Sequence, residues 1–444
     1  MAGRVQLELA RGPQERFFTV DPEYTHFRSI FKKTTNYAVQ SRDFEPQTST
    51  RFGETAHFRI PANYGDLLKT VALKVTLSEL NHPDGHSLAW IDSIGHGIIE
   101  YVDLRIGDVV IQRLTSDVLQ MYSEQNYTQT KQQALKHLIG KYPNRVAGTL
   151  VSDKSIAAHL GEATGDTELI IDLPFYFYRK PELALPLCAL KLQEVEFVVK
   201  LRHYQDAVDG HLMVSTVTGG HIDFTTSGGR PTIKSMALAT DIVFVEDAVR
   251  DQLLRRPELD YVITQHQRHQ ETISAGTNAL RMKLEFSNPM RELYFVIRSR
   301  VPTGSSPFDY DNRVTTPNTG EGKTTGIGGR LILFEHLRHL KLSFDGEEIL
   351  DEVTGKAIFL KAVQPYMHHS KTQLIRRFYS YAFATEPEGP PSGTVNLSLI
   401  KDQIVQFELN PQPTYARDVR VYGASHNVLR FSEGKADILY QYTP

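Results

Sequence analysis

The glycine-rich stretch TPNTGEGKTTGIGG (316–329) raises the question of nucleotide chemistry, because its Gly-Lys-Thr at 322–324 matches the end of a phosphate-binding loop. Such a loop also needs a glycine at the position of Pro317, which has no N–H to offer a phosphate. The motif should follow a buried strand and open a helix, whereas the closely spaced glycines of this stretch disfavour a helix. We therefore interpret the stretch as a long surface loop.

Histidines are the other residues that could do chemistry. His96 lies between two glycines, and no nucleophile or carboxylate motif accompanies it, so we expect a structural hydrogen bond rather than a base. The paired histidines join neither a cysteine set nor a His-Glu-x-x-His or His-x-His pattern. We predict no metal, no cofactor and no catalytic residue. The pairs are His82/His86, His266/His269, His336/His339 and His368/His369.

Covalent chemistry has few candidates. Cys188 is the sole cysteine, so an intrachain disulfide is impossible, and LPLCAL around it predicts a buried strand. The lack of an intrachain disulfide fits assembly in a reducing compartment, and MAGRVQLELARG lacks the apolar run of a signal peptide. Asn126 and Asn396 head N-x-[ST] sequons and are possible glycosylation sites. Asn396 falls in a strand-like segment, which makes it the poorer acceptor.

The charge balance bears on nucleic-acid binding. Lys plus Arg number 49 and Asp plus Glu number 52, for a net charge of −3. A protein that coats nucleic acid carries a basic excess, so we expect no direct sequence-specific nucleic-acid binding. The basic clusters FKK (31–33) and LLRRP (253–257) are short, and a phosphate contact at the first of them stays open.

Most of the chain is predicted to form β-strands. Apolar residues alternate with polar ones, as in a strand with one face on a core, and in one such strand Asp103 and Arg105 should point outward. Helices are expected to be few, and the sequence indicates a short one capped by Ser116 and another beginning at Asp247. The alternating runs are VALKVTL (71–77), YVDLRIG (101–107), EVEFVVKL (194–201), MKLEF (282–286), LYFVIRS (293–299) and LKLSF (340–344).

The two halves of the chain repeat one plan. DLRIGDVVI (103–111) and KLSFDGEEI (341–349) each read as strand, two-residue turn, strand, with Leu104 matching Leu342 and Ile111 matching Ile349. Each half then has an aromatic strand followed by a proline bend. Two all-β units of about 200 residues indicate tandem sandwiches or jelly rolls, because two packed sheets bury the apolar faces that a single sheet would expose.

Five segments resemble the major capsid proteins of large nucleocytoplasmic DNA viruses of the iridovirus, chlorovirus and marseillevirus kind. They occur in the expected order and span nearly the whole chain. One departure is Gly107-Asp108, where the family has paired glycines after the isoleucine. The segments are LARGPQERFFTVDPEYTHFRSIFKKTTNYA (9–38), WIDSIGHGIIEYVDLRIGDVVI (90–111), LPFYFYRKPELALPLCALKLQEVEF (173–197), PPSGTVNLSLI (390–400) and RVYGASHNVLRF (420–431).

The resemblance implies an all-β double jelly roll: two tandem eight-stranded jelly rolls with a few short helices in loops. We place an N-terminal arm at 1–25, the first roll at 26–216, a linker at 217–231 and the second roll at 232–444. The implied protein is not an enzyme. It is a virion capsid protein whose homotrimers, nearly hexagonal in outline, tile an icosahedral shell.

The resemblance also implies partners and a place of assembly. These are neighbouring capsomers, minor capsid and penton proteins, and the inner membrane layer through the arm, with assembly in the host cytoplasm. Two alternatives stay open. One is a minor or penton-associated double jelly-roll capsid protein, and the other is a carbohydrate-binding jelly-roll module.

Overall fold

The computed structural model of the chain describes residues 2–9, 12–29, 31, 33–61, 64–79, 89–141, 166–209, 231–300, 307–308, 310, 312–317, 329–372, 378–442 and 444. The chain divides into two units, Met1–Tyr37 and Ala38–Pro444. The first unit holds helices α1 (Ala2–Leu9) and α2 (Pro13–Thr19), neither of which has a buried residue. Among the described residues, no helix has the length and apolar character needed to cross a lipid bilayer.

The first half of the second unit is a sandwich of two sheets. One sheet has the strand order β1-β11-β3-β7, with β8 paired to the end of β3, and the other has the order β2-β9-β5-β6. Strands β4 and β10 form a separate pair. The strands are β1 (Tyr37–Phe44), β2 (Thr55–Ile60), β3 (Leu67–Leu77), β4 (Ala89–Trp90), β5 (Ile99–Ile106), β6 (Val109–Thr115), β7 (Thr167–Asp172), β8 (Leu185–Pro186), β9 (Val195–Leu201), β10 (Val208–Asp209) and β11 (Ile233–Val245).

Short helices fill the connections of both halves. Among the described residues of these connections, five helices are α-helical, and a π-helical turn, Phe359–Val363, runs directly into the last of them. The helices are α3 (Ile94–Gly97), α4 (Ser116–Gln125), α5 (Gln129–Leu138), α6 (Asp247–Leu254) and α7 (Gln364–His368).

The second half is a sandwich with the same plan. One sheet has the order β12-β22-β14-β19, with β20 paired to β14 and β23 to β22, and the other has the order β13-β21-β17-β18. The strands are β12 (Glu258–Ile273), β13 (Ala279–Leu284), β14 (Pro289–Ser299), β15 (Asn312–Pro317), β16 (Gly329–Phe334), β17 (Leu337–Phe344), β18 (Glu347–Leu350), β19 (Tyr379–Ala382), β20 (Val395–Asn396), β21 (Gln403–Leu409), β22 (Arg417–Ser432) and β23 (Lys435–Ile438).

Both sandwiches are jelly rolls with one topology. Counting the eight sheet-forming strands of each half in chain order, the first sheet is 1-8-3-6 and the second is 2-7-4-5 in both halves. The chain therefore crosses repeatedly between the two sheets, which is the jelly-roll path. The all-β double jelly roll expected from the sequence is confirmed.

The expected division of the chain needs a correction. We placed the second roll at 232–444, but β11 pairs antiparallel with β3 from Ile233↔Leu77 to Val243↔Leu67. It is thus the eighth strand of the first roll, and its inward Leu238 and Ile242 are fully buried there. The predicted boundary between the rolls was wrong because the glycine-rich segment before β11 has the composition of a linker. That segment, 217–231, lies outside the described residues except for Pro231.

The repeated hairpin is confirmed in detail. Leu104 and Leu342 are both fully buried, and each marks a β-bulge at the same point of its hairpin. The bulge leaves Ile111 in one hairpin and Ile349 in the other without a partner across the ladder. Their environments differ, because Ile111 is buried, with its carbonyl bonded to Gln265 of the second roll, whereas Ile349 is exposed.

Two further expectations about side chains are wrong. Asp103 is fully buried rather than outward, because Arg113 of β6 donates from Nε at 2.6 Å and from Nη2 at 2.8 Å to its carboxylate. Cys188 lies in a 3₁₀ turn after β8 rather than in a strand, and it is half-buried. The helix expected at Asp247 is confirmed as α6.

The sheet β12-β22-β14 is covered on both faces. Along β22 every residue from Arg417 to Ser425 is buried, so the usual in-out alternation disappears. Val419 and Val421 belong to the core inside the second roll. Tyr422 and Ala424 belong to the other core, which continues into the first roll. The two rolls are therefore joined through apolar packing as well as through the chain.

We predict that Leu238→Ala destabilises the first roll by about 2–5 kcal/mol, because it leaves a cavity in a packed core. Hydrogen exchange followed by mass spectrometry should show faster exchange in β3 and β7 and little change in β13 and β21. The matched variant Leu342→Ala, fully buried in the second roll, should give the reverse pattern. Faster exchange confined to the second roll in Leu238→Ala would contradict the reassignment of β11.

Candidate functional site

Helix α4 carries several of the polar contacts between the rolls. Its N-cap is Thr115, whose Oγ1 accepts a hydrogen bond from the Val118 N–H at 3.4 Å, and not Ser116 as we expected. Every residue of the helix except Tyr122 is buried. The helix lies beneath the second roll, so its polar residues must find partners there.

The centre of this junction is the carboxylate of Asp117, which three side chains of the second roll surround. Tyr310 donates its hydroxyl to Oδ1 at 2.7 Å. Arg420 Nη1 and the Tyr422 hydroxyl both donate to Oδ2 at 2.6 Å. We call these four residues the Asp117 cluster. All are buried, so the hydrogen bonds form in a medium where an unpaired charge would be very costly.

The electrostatics of the Asp117 cluster favour an ionised carboxylate on Asp117 and a charged guanidinium on Arg420. Burial alone would raise the pKa of Asp117, but the Arg420 charge and the hydrogen bonds from Tyr422 and Tyr310 hold that pKa well below its usual value. Burial likewise opposes the Arg420 charge, but nearby Asp117 keeps its pKa above the ordinary value. Burial and the Asp117 charge raise the pKa of Tyr422, so its phenol stays a donor.

Other hydrogen bonds cross the same junction. Gln265 of β12 donates to the carbonyl of Ile111 at 2.5 Å, and Gln125 of α4 donates to Ser380 Oγ at 3.2 Å. The Tyr442 hydroxyl accepts from the Arg113 N–H at 3.1 Å and donates to a carbonyl of β12 at 3.0 Å. These bonds fix the position of one roll on the other, because each needs a specific geometry.

Glu124, also on α4, forms a second charged contact. Its Oε1 lies 2.7 Å from Lys141 Nζ and its Oε2 lies 3.9 Å from Lys371 Nζ, and Lys371 belongs to the second roll. Burial first, then repulsion from Lys141, lowers the pKa of Lys371 to about 8 in spite of the attraction of Glu124.

His369 is held between two carboxylates of the second roll. Its Nε2 lies 2.6 Å from Glu292 Oε1 and its Nδ1 lies 3.2 Å from Glu388 Oε1. Burial lowers the pKa of His369, but the charge of Glu292 and the hydrogen bonds to both carboxylates raise it to about 9. His369 is thus protonated near neutral pH. Burial opposes ionisation of Glu388, but its hydrogen bonds from His369 and Ser370 lower its pKa.

Several of the other predicted histidines have structural partners. His96 is buried, and its Nδ1 lies 3.1 Å from Gln120 Oε1, as expected for a structural role. His336 Nε2 lies 3.3 Å from Ser299 Oγ. His82 and His86 lie outside the described residues. Within the described part of the chain, no three His, Cys, Asp or Glu side chains are grouped as metal ligands.

The phosphate-loop match is further weakened by its flanks. Strand β15 ends at Pro317, and β16 begins at Gly329 and pairs with it, so a strand follows the stretch where a phosphate loop needs a helix. Residues 318–328 lie outside the described part of the chain.

The two sequon asparagines differ in exposure. Asn126 caps the C-terminus of α4 and is half-buried, and it lines a cavity between the rolls. Asn396 is exposed on the two-residue strand β20, with Oδ1 accepting from the Ser398 N–H at 3.1 Å. The accessible asparagine is therefore the one that we ranked lower. Modification of either stays a prediction.

Exposed apolar side chains concentrate in two places. The first unit exposes aromatic residues along its length, including Phe17, Phe18 and Phe27. In the second unit the helical segment that contains the π-turn exposes Ile358 and Tyr366, and Tyr366 is 81% exposed. Contiguous exposed apolar surface is typical of contacts with other proteins.

The Asp117 cluster is hard to predict from the sequence. Asp117 and Arg420 are 303 positions apart, and neither forms a recognisable motif. One signal was present: RVYGA within β22 has polar or large side chains on the face that should be solvent-exposed in a lone roll. An aromatic and an arginine on that face indicate a buried polar contact.

Comparison with protein families gives two matches in chain order. Residues 25–246 match the family model described as "Major capsid protein N-terminus". Residues 250–436 match the model described as "Large eukaryotic DNA virus major capsid protein". The boundary between the matches falls after β11, in agreement with the strand pairing.

Two curated relatives are similar over nearly the full length of this chain, and a third is similar over part of it. The major capsid protein of Phaeocystis pouchetii virus is 24% identical and covers 99% of this chain and 100% of its own. That of Paramecium bursaria Chlorella virus 1 is 23% identical with the same coverage. Capsid protein 1 of Acanthamoeba polyphaga mimivirus is 28% identical over 70% of this chain and 51% of its own.

Solved structures share the fold. The quasi-atomic model of the PBCV-1 virus capsid matches with a TM-score of 0.73 at 18% identity, over 94% of this chain and 100% of the other. The Faustovirus major capsid protein matches with a TM-score of 0.69 at 13% identity, over 95% and 94%.

We predict that Asp117→Asn destabilises the protein by about 3 kcal/mol, because it leaves the buried Arg420 charge without its counterion. Urea unfolding followed by fluorescence and circular dichroism should show this loss, with the two rolls unfolding in separate transitions. The control Asp402→Asn breaks an exposed ion pair with Lys283 and should cost less than about 1 kcal/mol. Equal losses in the two variants would contradict the importance of the Asp117 cluster.

We also predict a pH-dependent contribution from His369. Because its pKa rises from 6.5 to about 9 on folding, the stabilisation is complete below the unfolded value and is lost as pH rises through the folded value. The free energy of unfolding of the wild type minus that of His369→Gln should therefore fall on the order of 3 kcal/mol over this range. A difference that stays constant with pH would show that His369 does not titrate there.

Proposed function

Because this chain belongs to the family of large eukaryotic DNA virus major capsid proteins, we propose that it forms homotrimers that tile an icosahedral shell. The family membership and fold establish a structural protein of the virion capsid. The trimer, its nearly hexagonal outline and the tiling are the proposed part. The role is structural rather than catalytic.

The observation that carries this proposal is the identical strand order of the two rolls. Three copies of a chain with two similar units present six similar sides, so a threefold assembly can pack as a hexagon does. This requires the two rolls to keep one fixed arrangement in every copy. The buried Asp117 cluster and the shared apolar core supply that rigidity.

Contacts between chains need exposed surface with suitable chemistry. The segment around the π-turn, with Ile358 and Tyr366 exposed, is a candidate surface for contacts between subunits. Stable interfaces of obligate oligomers bury on the order of 2,000 Å² or more and are enriched in aromatic residues at their centres.

The first unit supports contacts with other components. Its exposed aromatic residues and its short helices without buried residues are typical of a segment that is ordered by a partner. We assign it to contacts with neighbouring capsomers, with minor capsid and penton proteins, or with the inner membrane layer. Assembly in the host cytoplasm belongs to the same proposal.

A minor capsid role is the second candidate. The same mimivirus has two relatives of this chain, named capsid protein 1 and probable capsid protein 4, so a virus can carry several such proteins. The abundance of this chain in purified virions separates the alternatives, because a major shell protein must outnumber every other shell component.

We predict that the purified protein has a mass in solution of about three times the chain mass of 50.3 kDa. Sedimentation equilibrium measures this directly. A variant that lacks residues 2–35 should keep the trimer mass, since its sandwiches are intact, and should assemble poorly into larger particles. A monomeric full-length chain at micromolar concentration would contradict the proposal, and loss of the trimer on deletion would contradict the role of the first unit.

A further inference from the structure

A cavity of about 80 Å³ lies between the two rolls and is lined by polar groups of both. The first roll contributes Tyr176 and Lys180, and the second contributes His266, Arg291 and Glu292. A site needs about 10–15 Å³ on this measure to hold one water molecule, so the cavity has room for a polyatomic ligand. Neither the Asp117 cluster nor the proposed trimer contacts use these groups.

Several of the lining atoms are buried without a hydrogen bond. Tyr176 Oη, His266 Nδ1, Arg291 Nε and Glu292 Oε2 have no partner of normal geometry among the described residues. Tyr176 is 5% exposed and Glu292 is 1% exposed, whereas His266 and Arg291 are half-buried, but in all four side chains the unpaired atom itself is shielded from bulk water. Buried polar atoms of this kind usually have a bound partner, because leaving each of them unsatisfied costs about 1–3 kcal/mol.

The charges around the cavity do not balance. Arg291 donates Nη1 to Thr264 Oγ1 at 3.3 Å but forms no ion pair with any described residue. The ammonium of Lys180 likewise has no carboxylate within ion-pair distance in the described part of the chain. Glu292 and Glu388 face the protonated His369, so the cavity keeps a net positive charge.

Neighbouring titratable groups respond to this positive charge. Burial first, and then the charge of Arg291, lowers the pKa of Lys180 and lowers that of His266 to about 3. Burial, Arg291 and Lys180 together lower the pKa of His426 to about 4. Both histidines are thus neutral at neutral pH, and the excess positive charge lies on Lys180 and Arg291.

The orphan atoms define the chemistry of a suitable ligand. Arg291 Nε and the Tyr176 hydroxyl are donors that need an acceptor, and the charges of Arg291 and Lys180, which have no ion-pair partner among the described residues, favour an anionic one. Glu292 Oε2 is an acceptor in the same cavity and requires a donor. Sulfate and chloride accept only, whereas a protonated phosphate both accepts and donates.

We propose that this inter-roll cavity is a binding site for a protonated oxyanion of the size of inorganic phosphate, held by donors from both rolls. The anion neutralises the unpaired Arg291 and Lys180, and its hydroxyl donates to Glu292 Oε2. Because its ligands come from both rolls, the bound anion stabilises only the docked arrangement. The site lies within one chain and does not depend on the proposed trimer.

The test uses the full-length chain and inorganic phosphate, with sulfate and chloride at equal ionic strength, by isothermal titration calorimetry and thermal unfolding near neutral pH. Phosphate should bind saturably and raise the melting temperature, and sulfate should bind at least about tenfold more weakly, because it would leave Glu292 unpaired beside a second negative charge. Absence of saturable phosphate binding would show that the cavity holds water only, and equal affinity for sulfate would contradict the role of Glu292.

Substitutions of the cavity residues test whether phosphate binds in this cavity. Arg291→Gln should weaken phosphate binding at least about tenfold, because it removes a charged donor. Glu292→Gln should reduce the ratio of the affinity for phosphate to the affinity for sulfate. The matched control Arg338→Gln removes an exposed arginine paired with Glu408 and should leave binding unchanged. If Glu292→Gln fails to fold, Lys180→Gln on the first roll takes its place and should weaken phosphate binding. Phosphate affinity that none of the cavity variants alters would overturn the proposal.

Discussion

The arrangement of the two rolls depends on one buried ionised carboxylate. Asp117 is taken out of water by the first roll but receives all three of its charged or hydroxyl donors from the second roll. Separation of the rolls would leave Asp117 and Arg420 without each other while both remain partly enclosed by apolar side chains. Such a contact is specific, because a small displacement breaks several short hydrogen bonds at once. Apolar packing around it would tolerate sliding far better.

The apolar part of the junction follows from the double burial of one sheet. Residues of β22 alternate between the core of the second roll and the core shared with the first. A jelly roll usually exposes the outer faces of its sheets, but in this chain one outer face of the second roll is buried against the first roll. The same burial makes Ile111 an interior residue, while its counterpart Ile349 remains on the surface. Duplication has thus produced two rolls that share a topology but not the environment of their outer faces.

A capsid protein benefits from this construction. The proposed tiling requires every copy to present its sides at the same angles, and a hinge between the rolls would make those angles variable. The junction combines a shared apolar core with the Asp117 cluster, the Glu124 contacts and the Gln265 bond, so the second unit behaves as one block of two rolls. The aromatic residues of the first unit and of the π-turn segment are exposed and are available for contacts with other molecules.

The sequence by itself determined the strands, their hairpins and the duplication, because period-two alternation and tight-turn residues are local properties of a few neighbouring positions. The hairpins at Leu104 and Leu342 were predictable for that reason, whereas their bulges became evident only from the strand pairing. Tertiary structure alone decided that Asp103 is buried, that β11 completes the first roll, and that Asp117 meets Arg420. Each of these depends on which face of an element is covered by a segment that is distant in the chain. The local pattern of residues does not identify that segment.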